Sequence, residues 1–382
     1  MFLLDPDLIF LNHGSFGACP AQVMQSYQRW QMEMERNPVE FLGRRSAELL
    51  AQSRGVLAQA LGADPENLVY LPNATTGVNT VARSLRLRPG DEILTSDHEY
   101  GACDNTWEFV CQHTGARYVP VEIPLPFKAE EFVQRLWAGV TPRTRVIFLS
   151  HISSTTALIF PMEELCRRAR EADILTLIDG AHVPGHIPVN LNALGADFYT
   201  GNCHKWLCAP KGAAFLHVRP QHHQLVDAGV VSWGYSATIA GHTGFDAYTG
   251  STLLERRLQW QGTRDIAAFL TVPAAIAFQA EHDWDRVRQH CHTLAAQTLH
   301  RIGAITALPP ICADADFGQM VAIPVPAMDA QLLKDTLFER YRIEIPVTSH
   351  KGGLFIRLSV QAYNTPAQLD VLVDAVREIF AA

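Results

Sequence analysis

A lysine among apolar neighbours can serve as an amine nucleophile toward aldehydes, because desolvation disfavours the ammonium form and lowers its pKa. Lys205 stands in such a setting, in Thr200-Gly-Asn-Cys-His-Lys-Trp-Leu-Cys-Ala-Pro210, with Cys203, Trp206 and Leu207 beside it. Taken alone, it could equally lay its stem on apolar surface and carry its charge to water. Asp179 ends the apolar run Ile174-Leu-Thr-Leu-Ile-Asp179. A carboxylate at the mouth of a buried strand is costly unless a cation meets it. A protonated pyridine nitrogen is such a cation, and a carboxylate held against it keeps the ring able to absorb the electrons of an adjacent carbanion. Capping the turn before Gly180 is the plainer use of Asp179. His182 can hydrogen-bond a ring oxygen or a substrate, or simply occupy that turn. The junction Asn73-Ala-Thr-Thr-Gly77 puts the hydroxyls of Thr75 and Thr76 at a helix start. Oriented N–H groups and the helix dipole favour one phosphate there; N-capping is the other use of both threonines.

Other chemistries fail on spacing. The chain has no GxxxxGK[ST] and no GxGxxG after a strand, so neither nucleotide fingerprint is present. It has no GxSxG elbow for a serine hydrolase. His182 and His186 have metal-like spacing, but Pro184 and Gly185 break the helix that would align them. His290 and His292, two apart on a helix, point to different faces. No metal site is expected. The eight cysteines form no CxxC pair and lie in apolar context, as reduced, buried thiols of a reducing compartment would.

Elements must bring these residues together. Short apolar runs recur at 68–71, 92–95, 117–121, 146–149, 175–179, 198–201 and 213–218, mostly separated by helical stretches such as 76–85 and 162–171. That alternation predicts an α/β fold with a largely parallel sheet. Ligands of such sheets lie beyond the carboxyl ends of the strands, and the unusual residues follow the strands: Asn73 to Gly77, Asp97-His-Glu-Tyr100, Ser150-His-Ile-Ser153, Asp179 to His182, and His204-Lys205. After Trp260 the pattern becomes α+β, with a long amphipathic stretch over 266–302, strands near 319–324 and 354–359, and helices near 330–340 and 365–380. This predicts a smaller second domain.

With 382 residues, 48% of them hydrophobic, the chain has the composition of a globular protein of two or three packed units. Its 31 basic against 39 acidic residues give a net charge of -8 without basic clusters, which argues against nucleic acid and anionic membranes as partners. Residues 1–10 carry no export signal, and no window reaches the roughly 18 apolar residues of a spanning helix, so a soluble, cytoplasmic protein is expected.

Lys205 within HKWL-AP, Asp179 within IDGAH, NATTG and the opening Leu11-Asn-His-Gly-Ser-Phe-Gly17 together resemble the class V aminotransferase family of fold-type-I pyridoxal 5'-phosphate (PLP) enzymes, in its isopenicillin N epimerase-like branch. The likeness runs in consistent order from about residue 9 to 365, through DHEYGA, SHIS, GNCHKWL, VVSWG, QGTRD and RLSVQAYNT. It implies a PLP-dependent transferase fold: a large domain, 15–260, with a mainly parallel seven-stranded sheet between helices, and a small α+β domain made of 1–14 and 261–382. It implies that Lys205 forms the Schiff base and Asp179 pairs with the pyridine nitrogen. His98 would stack on the ring, with Tyr100 as the alternative. Thr75, Thr76 and His204, helped by Asn202, would hold the phosphate, and His182 would reach the ring oxygen or the substrate. Thr263, in Gly262-Thr263-Arg264, matches a threonine that completes this site from the neighbouring subunit, so a homodimer is implied. Arg357 would take the substrate α-carboxylate, with Asn12, His13 and Ser15 near the substrate and Phe16 and Trp233 shaping the pocket.

The resemblance leaves the reaction open. Epimerisation at Cα needs a proton carrier on each face, Lys205 on one and His98, Tyr100, His13 or water on the other. β-Elimination by a carbon–sulfur lyase needs Lys205 alone, and transamination ranks third. Persulfide-forming desulfuration needs a cysteine shortly before the arginine, and none lies between Cys312 and Arg357.

Overall fold

The computed structural model describes residues 1–240 and 246–380. Its centre is a seven-stranded sheet of β1 (Leu68–Leu71), β2 (Glu92–Ser96), β3 (Arg117–Val121), β4 (Thr144–Ser150), β5 (Leu175–Asp179), β6 (Phe198–Asn202) and β7 (Ala214–Val218), in the spatial order β1-β7-β6-β5-β4-β2-β3. All neighbours are parallel except β7, which runs antiparallel to both β1 and β6. The α/β expectation with a mainly parallel seven-stranded sheet therefore holds, and all seven strands lie within about two residues of the apolar runs. Helices cover both faces of such a sheet, which is why β1, β2, β6 and β7 are buried along their whole length. β3 at the edge is the exception: it is partly exposed and carries Pro120, which an edge strand tolerates because one side of its ladder is unpaired.

A three-stranded antiparallel sheet follows in the second part of the chain: β8 (Met320–Val325), β9 (Val347–His350) and β10 (Gly353–Ser359), in the order β9-β10-β8. Ile9–Phe10 pairs in parallel with Ile343–Glu344, and Ser359 donates its N–H to the Leu11 carbonyl, so the N-terminal segment is stitched to this region. The amphipathic stretch 266–302 is three helices, Ala267–Leu270, Val272–Glu281 and Trp284–Thr306. Pro273 in the first turn of the second and the left-handed Asp283 (φ 47) before the third account for the breaks.

β1, β2, β4, β5 and β6 all point the same way, and their carboxyl ends open on one crevice. Gly17 seals one wall of it. Its φ of +71 suits glycine, and a Cβ there would lie 2.0 Å from the His204 carbonyl oxygen. No helix among the described residues is long and apolar enough to cross a membrane.

Candidate active site

The crevice is a cavity of about 350 Å³. Lys205 enters it just after β6, and of the chain's five lysines it alone lines the wall. Its main chain is fixed from behind: the carbonyl accepts from Cys208 N at 3.0 Å and from His13 Nε2 at 3.1 Å. Because a carbonyl only accepts, His13 carries its proton on Nε2, and Nδ1 accepts from the Tyr363 hydroxyl at 3.1 Å. Burial holds His13 neutral, its pKa down at about 3. His13 thus lies outside the cavity wall, as a brace for Lys205.

Burial, joined by the charge of Arg357 and opposed by Asp179, brings the Lys205 amine down to about 8. Asp179 is 5% exposed at the end of β5. Its Oδ1 accepts from Ala181 N at 2.8 Å and its Oδ2 from the Cys103 thiol at 3.5 Å. Burial raises its pKa, and Lys205 is the cation that opposes this. His182 follows in the same turn, with Lys205 Nζ 3.1 Å from its Nε2.

The helix Ala74–Ser84 points its N-terminus at the cavity. Asn73 is its cap, accepting from Thr76 N at 2.8 Å and the Thr76 hydroxyl at 3.0 Å, while Asn202 Oδ1 takes Ala74 N at 2.8 Å. Thr76 is therefore committed to the cap and does not line the wall. Thr75 does, and its amide, in the first turn of the helix, is one of the N–H groups that an anionic oxygen can meet. Asn202 and His204 line the wall beside it. His204 donates from Nδ1 to the Ala213 carbonyl at 3.1 Å, which leaves Nε2 open.

The two rings of Asp97-His-Glu-Tyr100 part company. Tyr100 lines the cavity, 46% exposed. His98 is buried outside the wall: Nε2 donates to the Ile123 carbonyl at 2.8 Å, Nδ1 faces the Thr156 hydroxyl at 2.9 Å, and its ring stacks on His350 at 4.1 Å. Both nitrogens are spent, so His98 has neither a free face for a cofactor ring nor a free nitrogen for a proton at Cα. Asp97, His98 and His350 approach as a metal-ligand set might. Hydrogen bonds occupy both His98 nitrogens and Asp97 meets Lys351 in a 2.6 Å ion pair, while His350 Nε2 has no partner among the described residues.

Arg357, on β10, stands behind the wall made by Ser15 and Ser154, 5% exposed. Nη1 donates to the Ser154 carbonyl at 2.5 Å and its hydroxyl at 3.1 Å; Nη2 donates to the Ser15 hydroxyl at 2.8 Å. Ser15 in turn donates to Asn12 Oδ1 at 2.5 Å, and Asn12 Nδ2 to Glu344 at 3.3 Å. Asn12 thus acts through Ser15. No carboxylate pairs with Arg357 among the described residues, and its Nε–H has no partner. Of five N–H groups the two left over, Nε and one on Nη2, are adjacent, the edge that holds a carboxylate by two parallel bonds. Burial lowers the guanidinium to about 10.

Ile152, within Ser150-His-Ile-Ser153, lines the wall, and so does Ser154, which the sequence did not single out; its only signal was position, just after that motif. Phe16 lines the mouth, whereas Trp233 is not part of the wall. Thr263 is exposed and outside the cavity of its own chain.

The donor set suits PLP: an isolated amine, a carboxylate at a strand end, a helix N-terminus, and an aromatic ring at the mouth. Comparison with known proteins agrees. The profile of the family described as Aminotransferase class-V matches residues 9–372. The isopenicillin N epimerase of Streptomyces clavuligerus is 38% identical over 382 residues, covering 98% of this chain and 95% of that protein. A probable chloroplastic L-cysteine desulfhydrase of Arabidopsis thaliana is 28% identical, covering 97% and 83%. Among solved structures, a C-DES mutant with glycine covalently linked to the PLP cofactor superposes with a TM-score of 0.82 at 20% identity, over 98% of this chain and 97% of that one.

Proposed function

Because the chain belongs to the aminotransferase class-V family, we propose that it is a PLP-dependent epimerase acting at Cα of an amino acid or amino-acid-derived substrate. The observation that carries this is the single amine in the cavity: Lys205, its pKa brought down to about 8, coupled to Asp179 and to Arg357. PLP, when bound, supplies an electron sink for the pair left at Cα.

The chain's own residues do the rest. Lys205 would hold the cofactor through its ε-amine and, once the substrate's amino group has displaced it, that free amine would take or return the Cα proton. Asp179 would pair with the pyridine nitrogen, His182 would meet the ring oxygen and Tyr100 would cover the ring. Thr75, Asn202 and His204 would hold the phosphate, completed in a homodimer by Thr263 of a second copy. Arg357 presents its free edge to the substrate carboxylate, fixed in direction by Ser15 and Ser154. Of the side chains weighed as proton carriers for the opposite face of Cα, Tyr100 is the one that lines the wall.

β-Elimination is the second reading, favoured by the economy of needing Lys205 alone. No cysteine lines the cavity among the described residues, and Cys103, behind Asp179, is held far from its thiolate by burial and by Asp179, Glu99 and Asp104, which opposes persulfide chemistry. The holoenzyme, incubated with amino acids and isopenicillin N in deuterated water, should give Cα-deuterated product of inverted configuration. Release of pyruvate and ammonia instead would install the lyase reading, and a pyridoxamine spectrum the transaminase.

A further inference from the structure

We propose that Trp206 is a positioning residue: its indole N–H fixes His182 in the tautomer that carries its proton on Nε2, so that His182 faces Lys205 as a donor and Lys205 faces it as a neutral amine. Trp206 Nε1 lies 3.2 Å from His182 Nδ1. An indole N–H only donates, so Nδ1 must be the acceptor. The indole is not free to turn. It is fully buried, stacked on the His186 ring at 4.0 Å and 24°, and its own carbonyl accepts from Gln279 at 2.8 Å.

A neutral imidazole has one ring proton, which then sits on Nε2, 3.1 Å from Lys205 Nζ. An ammonium offers no lone pair, and its N–H groups would oppose the imidazole N–H. The contact is a hydrogen bond only if Lys205 is an NH₂ group that accepts. Protonating His182 on Nδ1 would set two N–H groups against each other and break the Trp206 bond. The charges around the pair work the same way. Burial holds His182 well below its usual range, and Lys205, Arg357, His186 and His204 all oppose its protonation. On Lys205, burial and Arg357 outweigh Asp179 and Cys103.

The order Trp206 to His182 to Lys205 is thus directional. The amine is pre-set as nucleophile, and any group that later takes its place against Nε2 must be an acceptor, of the class of an ionised phenolic or carbonyl oxygen. Only this last meaning rests on the proposed function; the tautomer itself does not.

The test uses the full chain, cofactor-free, with ¹⁵N-labelled histidine, and long-range ¹H–¹⁵N spectra from about pH 6 to about pH 9, around the ordinary histidine range. His182 is assigned by its loss in His182→Gln. The expected pattern at the alkaline end, above the Lys205 value of about 8, is a protonated Nε2 and an acceptor Nδ1; a protonated Nδ1 there overturns the proposal without any Trp206 variant having to fold. In Trp206→Phe the ring is released and Lys205 can donate as an ammonium. The pH midpoint for reductive methylation of Lys205 by formaldehyde, read by peptide mass spectrometry, should rise by about one unit, making it about tenfold slower near neutrality and normal in alkali. A merely structural role would slow it at every pH. An unchanged midpoint contradicts the proposal. Should Lys205 not anchor a cofactor, both readouts would still stand, so the two failures are distinguishable.

Discussion

Removing the guanidinium at 357 should separate function from stability. Arg357 is buried with no carboxylate partner among the described residues, and its free edge is two adjacent N–H groups. Charge-assisted hydrogen bonds contribute about 1.5–3 kcal/mol each. Arg357→Lys keeps the charge and at best one such bond, so kcat/KM should fall about 10- to 150-fold. Arg357→Met loses both and should cost about 10²- to 10⁴-fold. Folding should not suffer. The methionine replaces a desolvated cation whose charge meets no counter-charge, and Ser15 keeps its 2.5 Å bond to Asn12. The Tm of the cofactor-free Met variant should equal or exceed that of the parent. The assay is kcat/KM for an α-carboxylate substrate and for its carboxamide, on parent and variant, as a double-mutant cycle. The parent should discriminate strongly and the Met variant hardly at all. A Met variant that keeps its discrimination while melting several degrees lower would make Arg357 a structural residue and refute the reasoning.

Further outcomes follow from the same geometry. Covalent uptake of the cofactor by the cofactor-free chain should quicken with rising pH up to about 8, the Lys205 value, because only the neutral amine attacks; stopped-flow absorbance showing a midpoint near an ordinary lysine would contradict this. Tyr100→Ala should loosen cofactor retention about tenfold or more with little change in Tm. His98→Ala should do the reverse, costing about 1–3 kcal/mol by leaving the Ile123 carbonyl unpaired; equilibrium dialysis and denaturant melts distinguish the pair. Thr263→Ala should weaken cofactor retention in a dimer although Thr263 is remote from its own cavity, and unaltered affinity would remove it from the site.

Much of this was legible before any coordinates. The sheet strands read as short apolar runs because both faces are covered, and their ends carried the site because a parallel sheet puts its crevice there. The β9–β10 hairpin was not foreseen. Its two turn residues, Lys351 (φ 47) and Gly352 (φ 81), both take positive φ, and a lysine gives no such signal where asparagine would. Direction of side chains was the other gap. Two rings two residues apart in one loop look equivalent, and only tertiary partners, Thr156 and the Ile123 carbonyl, turn His98 away while Tyr100 faces the cavity. Thr75 and Thr76 divide for a like reason: Asn73 takes one for its cap. Trp206 reads from the sequence only as an apolar neighbour of Lys205, because its N–H matters only once His182 is 3.2 Å away.

The central claim is that the ε-amine of Lys205 is the covalent anchor of the cofactor. Borohydride reduction of the purified holoenzyme, followed by peptide mass spectrometry, tests it directly. The pyridoxyl mass should appear on the peptide holding Lys205 and on none carrying the other four lysines, Lys128, Lys211, Lys334 and Lys351. A label on Lys211, whose amine instead meets the Gly17 carbonyl at 3.0 Å, or no label at all on a cofactor-loaded protein, would contradict the account.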